Sequence, residues 1–173
     1  MKYHFLTLVF FGAFTLSNCS IEEENINKKV SNHLIMDSHT LSNYKDLPII
    51  HAHLDLEVDF VNKLLKGSVT HNLSEDRNTD LLVLDSKHLD VDSVKDERGN
   101  RLNFEIGNFD ELLGSKFSIQ LNKESKCVTI FYKTTNKSEA LDWLMPNQTA
   151  GKNFPFMYTQ GQSIFTRSWI PIQ

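Results

Sequence analysis

Only two cysteines occur in the 173 residues, Cys19 and Cys127. A disulfide framework is therefore excluded. Four prolines and seven glycines are too few for a collagen-like or low-complexity chain. No apolar run reaches the roughly 20 residues that a membrane-spanning helix needs. Basic residues number 18 against 22 acidic ones, a net charge of −4, with no Lys/Arg cluster. That balance argues against a nucleic-acid surface. Catalytic signatures are missing too. There is no His-Glu-x-x-His, no Gly-x-Ser-x-Gly and no Gly-rich phosphate loop. What is present is globular: 40% apolar, 10% aromatic and 23% charged residues. Twelve phenylalanines point to a sheet core rather than a Leu-rich bundle.

The N-terminus reads as an export signal. Lys2 gives a basic start, and Phe5 to Leu16 is an uncharged run of 12 residues. That length suits a secretory signal. Leu16-Ser17-Asn18-Cys19 then resembles a bacterial lipobox, with Asn18 where Gly, Ala or Ser is usual. Residues 1–18 are thus expected to be a lipoprotein signal peptide and Cys19 the lipidation site. An ordinary cleaved signal or a buried apolar strand are the alternatives. Residues 19–48 are expected to form a flexible tether, rich in Asn, Ser and Lys after Glu22-Glu23-Glu24. The chain is expected to be exported and anchored to the bacterial cell envelope. The acidic run behind Cys19 resembles signals that carry some lipoproteins to the outer membrane or cell surface, and it reads equally as a solvated charge run.

From residue 49 the pattern is strands. His51 to Phe60 alternates, with Ala52, Leu54, Leu56, Val58 and Phe60 on one face and His51, His53, Asp55, Glu57 and Asp59 on the other. Such alternation predicts a half-buried strand. Gly67–Leu73 should return beside it, after a turn around Val61–Lys66. Further strands are expected at Leu81–Leu84, Leu89–Val94, Leu102–Ile106, Phe117–Leu121 and Cys127–Thr134. Turn chemistry separates them at Glu97-Arg98-Gly99-Asn100 and Asn122-Lys123-Glu124. The spacing predicts an all-β antiparallel two-sheet sandwich.

His51-x-His53 invites a metal, with His71 as the nearest third ligand. Matching the apolar faces of the first hairpin opposes Leu56 to the odd-numbered set Val69, His71 and Leu73. His71 then faces the core, away from both other histidines, and no metal site is expected. Asp55, Glu57 and Asp59 read as a solvated strand face. Cys127 reads as a small, semi-buried hydrophobe in mid-strand. Phe156 to Gln162 reads as extended, with Gln160 and Gln162 on one face. Amides there could grip a peptide, since each donates and accepts. Two amides on a wet edge are the plainer reading.

Several ordered motifs carry a family resemblance. They are Leu54-Asp55-Leu56-x-Val58-Asp59-Phe60, Gly67-Ser68-Val69-Thr70 and Leu82-Val83-Leu84-Asp85. Then come Ala140-Leu141-x-Trp143-Leu144-x-Pro146-x-Gln148-Thr149-x-Gly151-Lys152, Gln160-x-Gln162-Ser163-Ile164 and Arg167-Ser168-Trp169-Ile170-Pro171-x-Gln173. Residues 49–173 thereby resemble the N-terminal domain of the M1 zinc aminopeptidases, most of all the leukotriene hydrolase branch and its bacterial aminopeptidase relatives. The resemblance implies a saddle-shaped β domain ahead of a catalytic domain that carries zinc and the catalytic residues. That domain is not in this sequence, so no catalytic residue, metal ligand or cofactor is expected within it. It also implies that Gln162, with Gln160 beside it, contacts the free amino end of a peptide substrate. The chain is read as stopping short of its catalytic half at Gln173. Its expected partners are the peptide N-terminus, the catalytic domain, and the membrane through the lipid anchor. A stand-alone peptide- or protein-binding lipoprotein and the non-catalytic half of a split aminopeptidase are the alternatives.

Overall fold

The computed structural model describes residues 37–173. The expected signal peptide, Cys19 and residues 19–36 of the expected tether lie outside the described residues. Nine strands follow in order: β1 (Ile49–Asp59), β2 (Leu64–Leu73), β3 (Leu81–Ser86), β4 (Asp90–Asp96), β5 (Phe104–Asp110), β6 (Gly114–Gln120), β7 (Cys127–Lys133), β8 (Leu141–Leu144) and β9 (Phe156–Thr159). All ladders are antiparallel. One sheet runs β1-β2-β7-β4, a second runs β3-β6-β5, and β8-β9 is a separate hairpin. The expected all-β antiparallel fold is the observed one.

The inward faces of the two larger sheets supply one core. Val69 and Leu73 of β2, Val128, Ile130 and Tyr132 of β7 and Val94 of β4 belong to it. Leu82 and Leu84 of β3 and Phe117 and Ile119 of β6 belong to it from the other side. Alternation along β7 is strict: Val128, Ile130 and Tyr132 are buried, while Thr129 and Phe131 are half-buried. Phe104 meets Phe117 edge-on at 5.6 Å between centroids, a favoured aromatic geometry.

Local chemistry sets the turns. Between β1 and β2, Asp59 accepts the backbone N–H of Val61 and Asn62 at 3.0 and 2.8 Å and the Asn62 side-chain amide at 2.7 Å. The backbone and side-chain bonds from Asn62 hold the Asp59 carboxyl below its usual range. Asp110 closes the β5–β6 turn in the same way, accepting Leu112 N–H at 2.8 Å and Leu113 N–H at 2.7 Å. Gly67, at φ +154°, lies so close to β1 that an added Cβ would stand 2.1 Å from the Asp55 carbonyl oxygen. Only glycine lets the two strands approach there.

Three expectations change. The tether does not reach residue 48. Leu47 is fully buried in the core. The Asn43 side chain donates to Leu81 O at 2.7 Å and accepts Val83 N–H at 2.9 Å, so it pairs with β3 as a backbone would. A polar composition hid a segment that docks through one leucine and one amide. Second, the apolar face of β1 is incompletely covered: Leu54 and Val58 are each 37% exposed, and of the strand only Ile49 and Leu56 pack against the core. β1 is the outermost strand of its sheet, so the alternation is real but much of its face has no cover. Third, the extended run from Phe156 ends at Thr159 and not at Gln162.

Candidate functional site

The Gln160–Gln162 segment leaves the β8-β9 hairpin as a closed loop. Gln160 N–H still donates to Ala140 O at 2.9 Å, one step beyond the Leu141–Thr159 pair. The chain then turns. Gln162 N–H donates to the Gln160 side-chain oxygen at 3.2 Å. Gly161 O accepts Phe165 N–H at 2.9 Å and Thr166 N–H at 3.3 Å, which opens the short 3-10 helix Phe165–Ser168. A Cβ on Gly161 would fall 2.1 Å from Thr166 Oγ1, so a larger residue there requires the Thr166 side chain to turn away.

Gln160 and Gln162 are therefore brought together by a turn and not by a shared strand face. Both are exposed. Their parts differ. The Gln160 carboxamide is committed to the loop's own backbone, whereas the Gln162 side chain makes no hydrogen bond among the described residues. A free carboxamide offers an acceptor to an ammonium and two donors to a carbonyl. Phe156 and Tyr158 lie just upstream on β9, both exposed, with ring centroids 6.5 Å apart and planes at 28°. Asp142, opposite Tyr158 in the hairpin, pushes the Tyr158 hydroxyl above its usual range by its charge and a hydrogen bond.

The loop is held from beneath by a buried ion pair that sequence reading left without a role. Arg167 Nε donates to Ile164 O at 3.0 Å, Nη1 to Leu113 O at 2.8 Å and Nη2 to His39 O at 2.7 Å. Nη2 also lies 3.2 Å from the Asp85 carboxylate, and both side chains are almost fully buried. Asp85 in turn accepts Thr40 Oγ1–H at 2.6 Å and Leu41 N–H at 2.7 Å. Burial of a charge pair demands such complete hydrogen bonding. Asp85 and Arg167 stand within the quoted motifs, but nothing in their spacing says that they meet. The only cue is an arginine beside the apolar run Trp169-Ile170-Pro171.

His71 is fully buried and opposes Ala52 in the register, on the face away from His51 and His53. Its Nε2–H donates to Pro171 O at 2.8 Å, and Nδ1 has no partner. Burial lowers its pKa from 6.5 to about 4. Zinc, which the resemblance assigns to the family's catalytic domain, finds no matching donor set here. Among the described residues no group of three or more His, Cys, Asp or Glu side chains could hold a metal. Burial raises the Cys127 thiol above its ordinary value, the direction that disfavours the reactive thiolate. The Pro146-x-Gln148-Thr149 stretch stitches its own turn: Thr149 Oγ1 donates to Pro146 O and Phe154 O at 2.9 and 3.0 Å.

Comparison with known proteins agrees with this geometry. Residues 42–173 match the family model of the peptidase M1 N-terminal domain. Leucine aminopeptidase 2 of Yarrowia lipolytica is 39% identical over 138 residues, covering 78% of this chain and 21% of that protein. The leukotriene A-4 hydrolase homolog of Botryotinia fuckeliana is 33% identical over 144 residues, covering 79% and 22%. The solved structure of native leukotriene A4 hydrolase from Saccharomyces cerevisiae superposes with a TM-score of 0.73 at 35% identity, over 82% of this chain and 23% of that one. This chain thus spans about a fifth to a quarter of the length of the relatives it matches. It belongs to the peptidase M1 family, as that family's N-terminal domain.

Proposed function

We propose that this domain forms one wall of the substrate cleft of a zinc aminopeptidase and holds the free amino end of the peptide through Gln162. One observation carries the reading. Within the matched residues, Gln162 is an exposed amide with no internal partner, on a loop held by Thr166 and the Asp85–Arg167 pair. Gln160 positions that loop and lies beside the same substrate end. The domain binds and orients. The bond-breaking groups belong to a catalytic domain carried by further polypeptide, in the same chain or a separate one. The relatives named as leucine aminopeptidase and leukotriene hydrolase support that assignment. The reading includes export and acylation at Cys19, which the intact mass of membrane-extracted protein would report as a lipid-sized increment; an unmodified soluble product would reject it.

The test is a chimera. Residues 42–173 replace the matching segment of Saccharomyces cerevisiae leucine aminopeptidase 2, a relative 38% identical over 141 residues. Gln162→Ala should lower kcat/KM by about 1.5–2 kcal/mol, roughly 10- to 30-fold, as loss of one hydrogen bond to an ammonium predicts. The stability of the unfused chain should move by less than about 0.5 kcal/mol, as for any exposed side chain. An active chimera indifferent to Gln162→Ala rejects the role.

A further inference from the structure

We propose that the free edge of β1 pairs with the same edge of a second copy of this chain. Two four-stranded sheets would then join into one of eight strands about a two-fold axis at Leu54. This rests on the fold alone and is independent of the cleft role.

β1 is the longest strand, and among the described residues only β2 pairs with it. From Ala52 to Val58 no strand among the described residues pairs its other edge; at its start the Ile49 N–H is taken by the Gln173 side chain at 2.9 Å. Exposed edges are ordinarily blunted by proline, lysine, shortness or a bulge. β1 contains neither proline nor lysine, and its one irregularity lies at its start, between Ile49 and His51. Its apolar face is also open at Leu54 and Val58. An open edge and an uncovered apolar face on one strand call for a partner strand.

The sequence of β1 is complementary to itself when reversed. Antiparallel pairing centred on Leu54 uses the regular stretch His51–Glu57, beyond the irregularity between Ile49 and His51. Its apolar face sets Ala52 against Leu56 and Leu54 against Leu54 of the second copy. Its polar face sets His51 against Glu57 and His53 against Asp55. Each His–carboxylate pair occurs twice by symmetry. Directly opposed side chains stand about 4.5–5.5 Å apart at Cβ, close enough for each pair to form. Moving the axis to Asp55 opposes two Asp55 carboxylates. Placing it at His53 opposes two imidazoles, and at Leu56 it opposes Asp55 to Glu57. Axes between residues set apolar side chains against polar ones. Leu54 is the one centre that matches both faces.

The experiment uses the full chain in detergent, with mass followed by sedimentation against concentration. A concentration-dependent dimer is expected. Asp55→Lys with Glu57→Lys should weaken it roughly tenfold or more, because four opposed His–carboxylate pairs lose their acceptor. Adding His51→Glu and His53→Glu to that variant should restore it. Leu54→Cys should be trapped as a dimer by a short thiol cross-linker, and Val58→Cys, four residues from the axis, should not; both are judged against the parent chain with its half-buried Cys127. A chain that stays monomeric overturns the proposal. So does a dimer that charge reversal does not weaken, that the swapped charges do not restore, or that Leu54→Cys does not trap. A β1 edge protected only when the rest of an M1 polypeptide is added overturns it as well.

Discussion

β1 and β2 lie side by side in one register, yet their surroundings differ. Leu54 of β1 faces Val69 of β2 directly, and Val69 is fully buried while Leu54 is more than one-third exposed. Both strands alternate apolar and polar residues. The difference comes from the second sheet, β3-β6-β5, which covers β2, β7 and β4 and leaves much of β1 uncovered. Periodicity therefore tells which side chains share a face. It does not tell whether anything lies on that face.

The largest expected effect tests the covered side. Phe117→Ala empties the centre of the core and should cost about 3–5 kcal/mol, read by chemical denaturation. Leu54→Ala on the open side should cost less than about 1 kcal/mol, since much of that side chain is already in water. Equal costs would mean that the open face is covered.

A second test uses pH. His71 is neutral in the folded chain down to about pH 4, against 6.5 for a free imidazole. As pH falls, the unfolded chain takes up its proton first. Stability is full above pH 6.5 and is lost between 6.5 and about 4, by on the order of 3 kcal/mol. His71→Gln keeps a donor for Pro171 O and cannot titrate. The difference between parent and variant should shrink steadily through this window. Parallel pH profiles would show that His71 is hydrated.

The smallest of the three effects lies at the seam between the regions. Gly67→Ala places a methyl against the Asp55 backbone at a positive φ. It should cost about 1–3 kcal/mol, as overpacking does. Hydrogen exchange should quicken along β1 and stay unchanged in β7. Uniform acceleration through both would mean that β1 unfolds only with the whole domain.

Much of this was legible. Alternation marks β1 and its return in β2, and matching their faces puts His71 in the core, where it lies. Boundaries moved where turn residues acted through side chains: Asp110 pulled β5 out to residue 110 beyond the expected end at Ile106. The Gln160–Gln162 pair was found by resemblance, but its shape was misread as a strand. Gly161 signalled close approach, and only the fold shows that Thr166 is what approaches. Docking of Leu47 and Asn43 was hidden because a single buried leucine leaves no periodic trace. The Asp85–Arg167 pair joins residues 82 positions apart (167 − 85), and no local pattern reports such a meeting.

The groups that close the domain come late in the chain. Arg167 reaches back to His39, Pro171 to His71, and the Gln173 side chain to Leu47 and Ile49, over separations of 128, 100, 126 and 124 residues. Ile172 exchanges backbone hydrogen bonds with Asp85. Loops this long must be closed before their contacts return any free energy, which slows folding. On the ribosome, β1 through β7 would emerge with Asp85 and His71 still unpaired. The sandwich can lock only after Arg167 to Gln173 have left the exit tunnel.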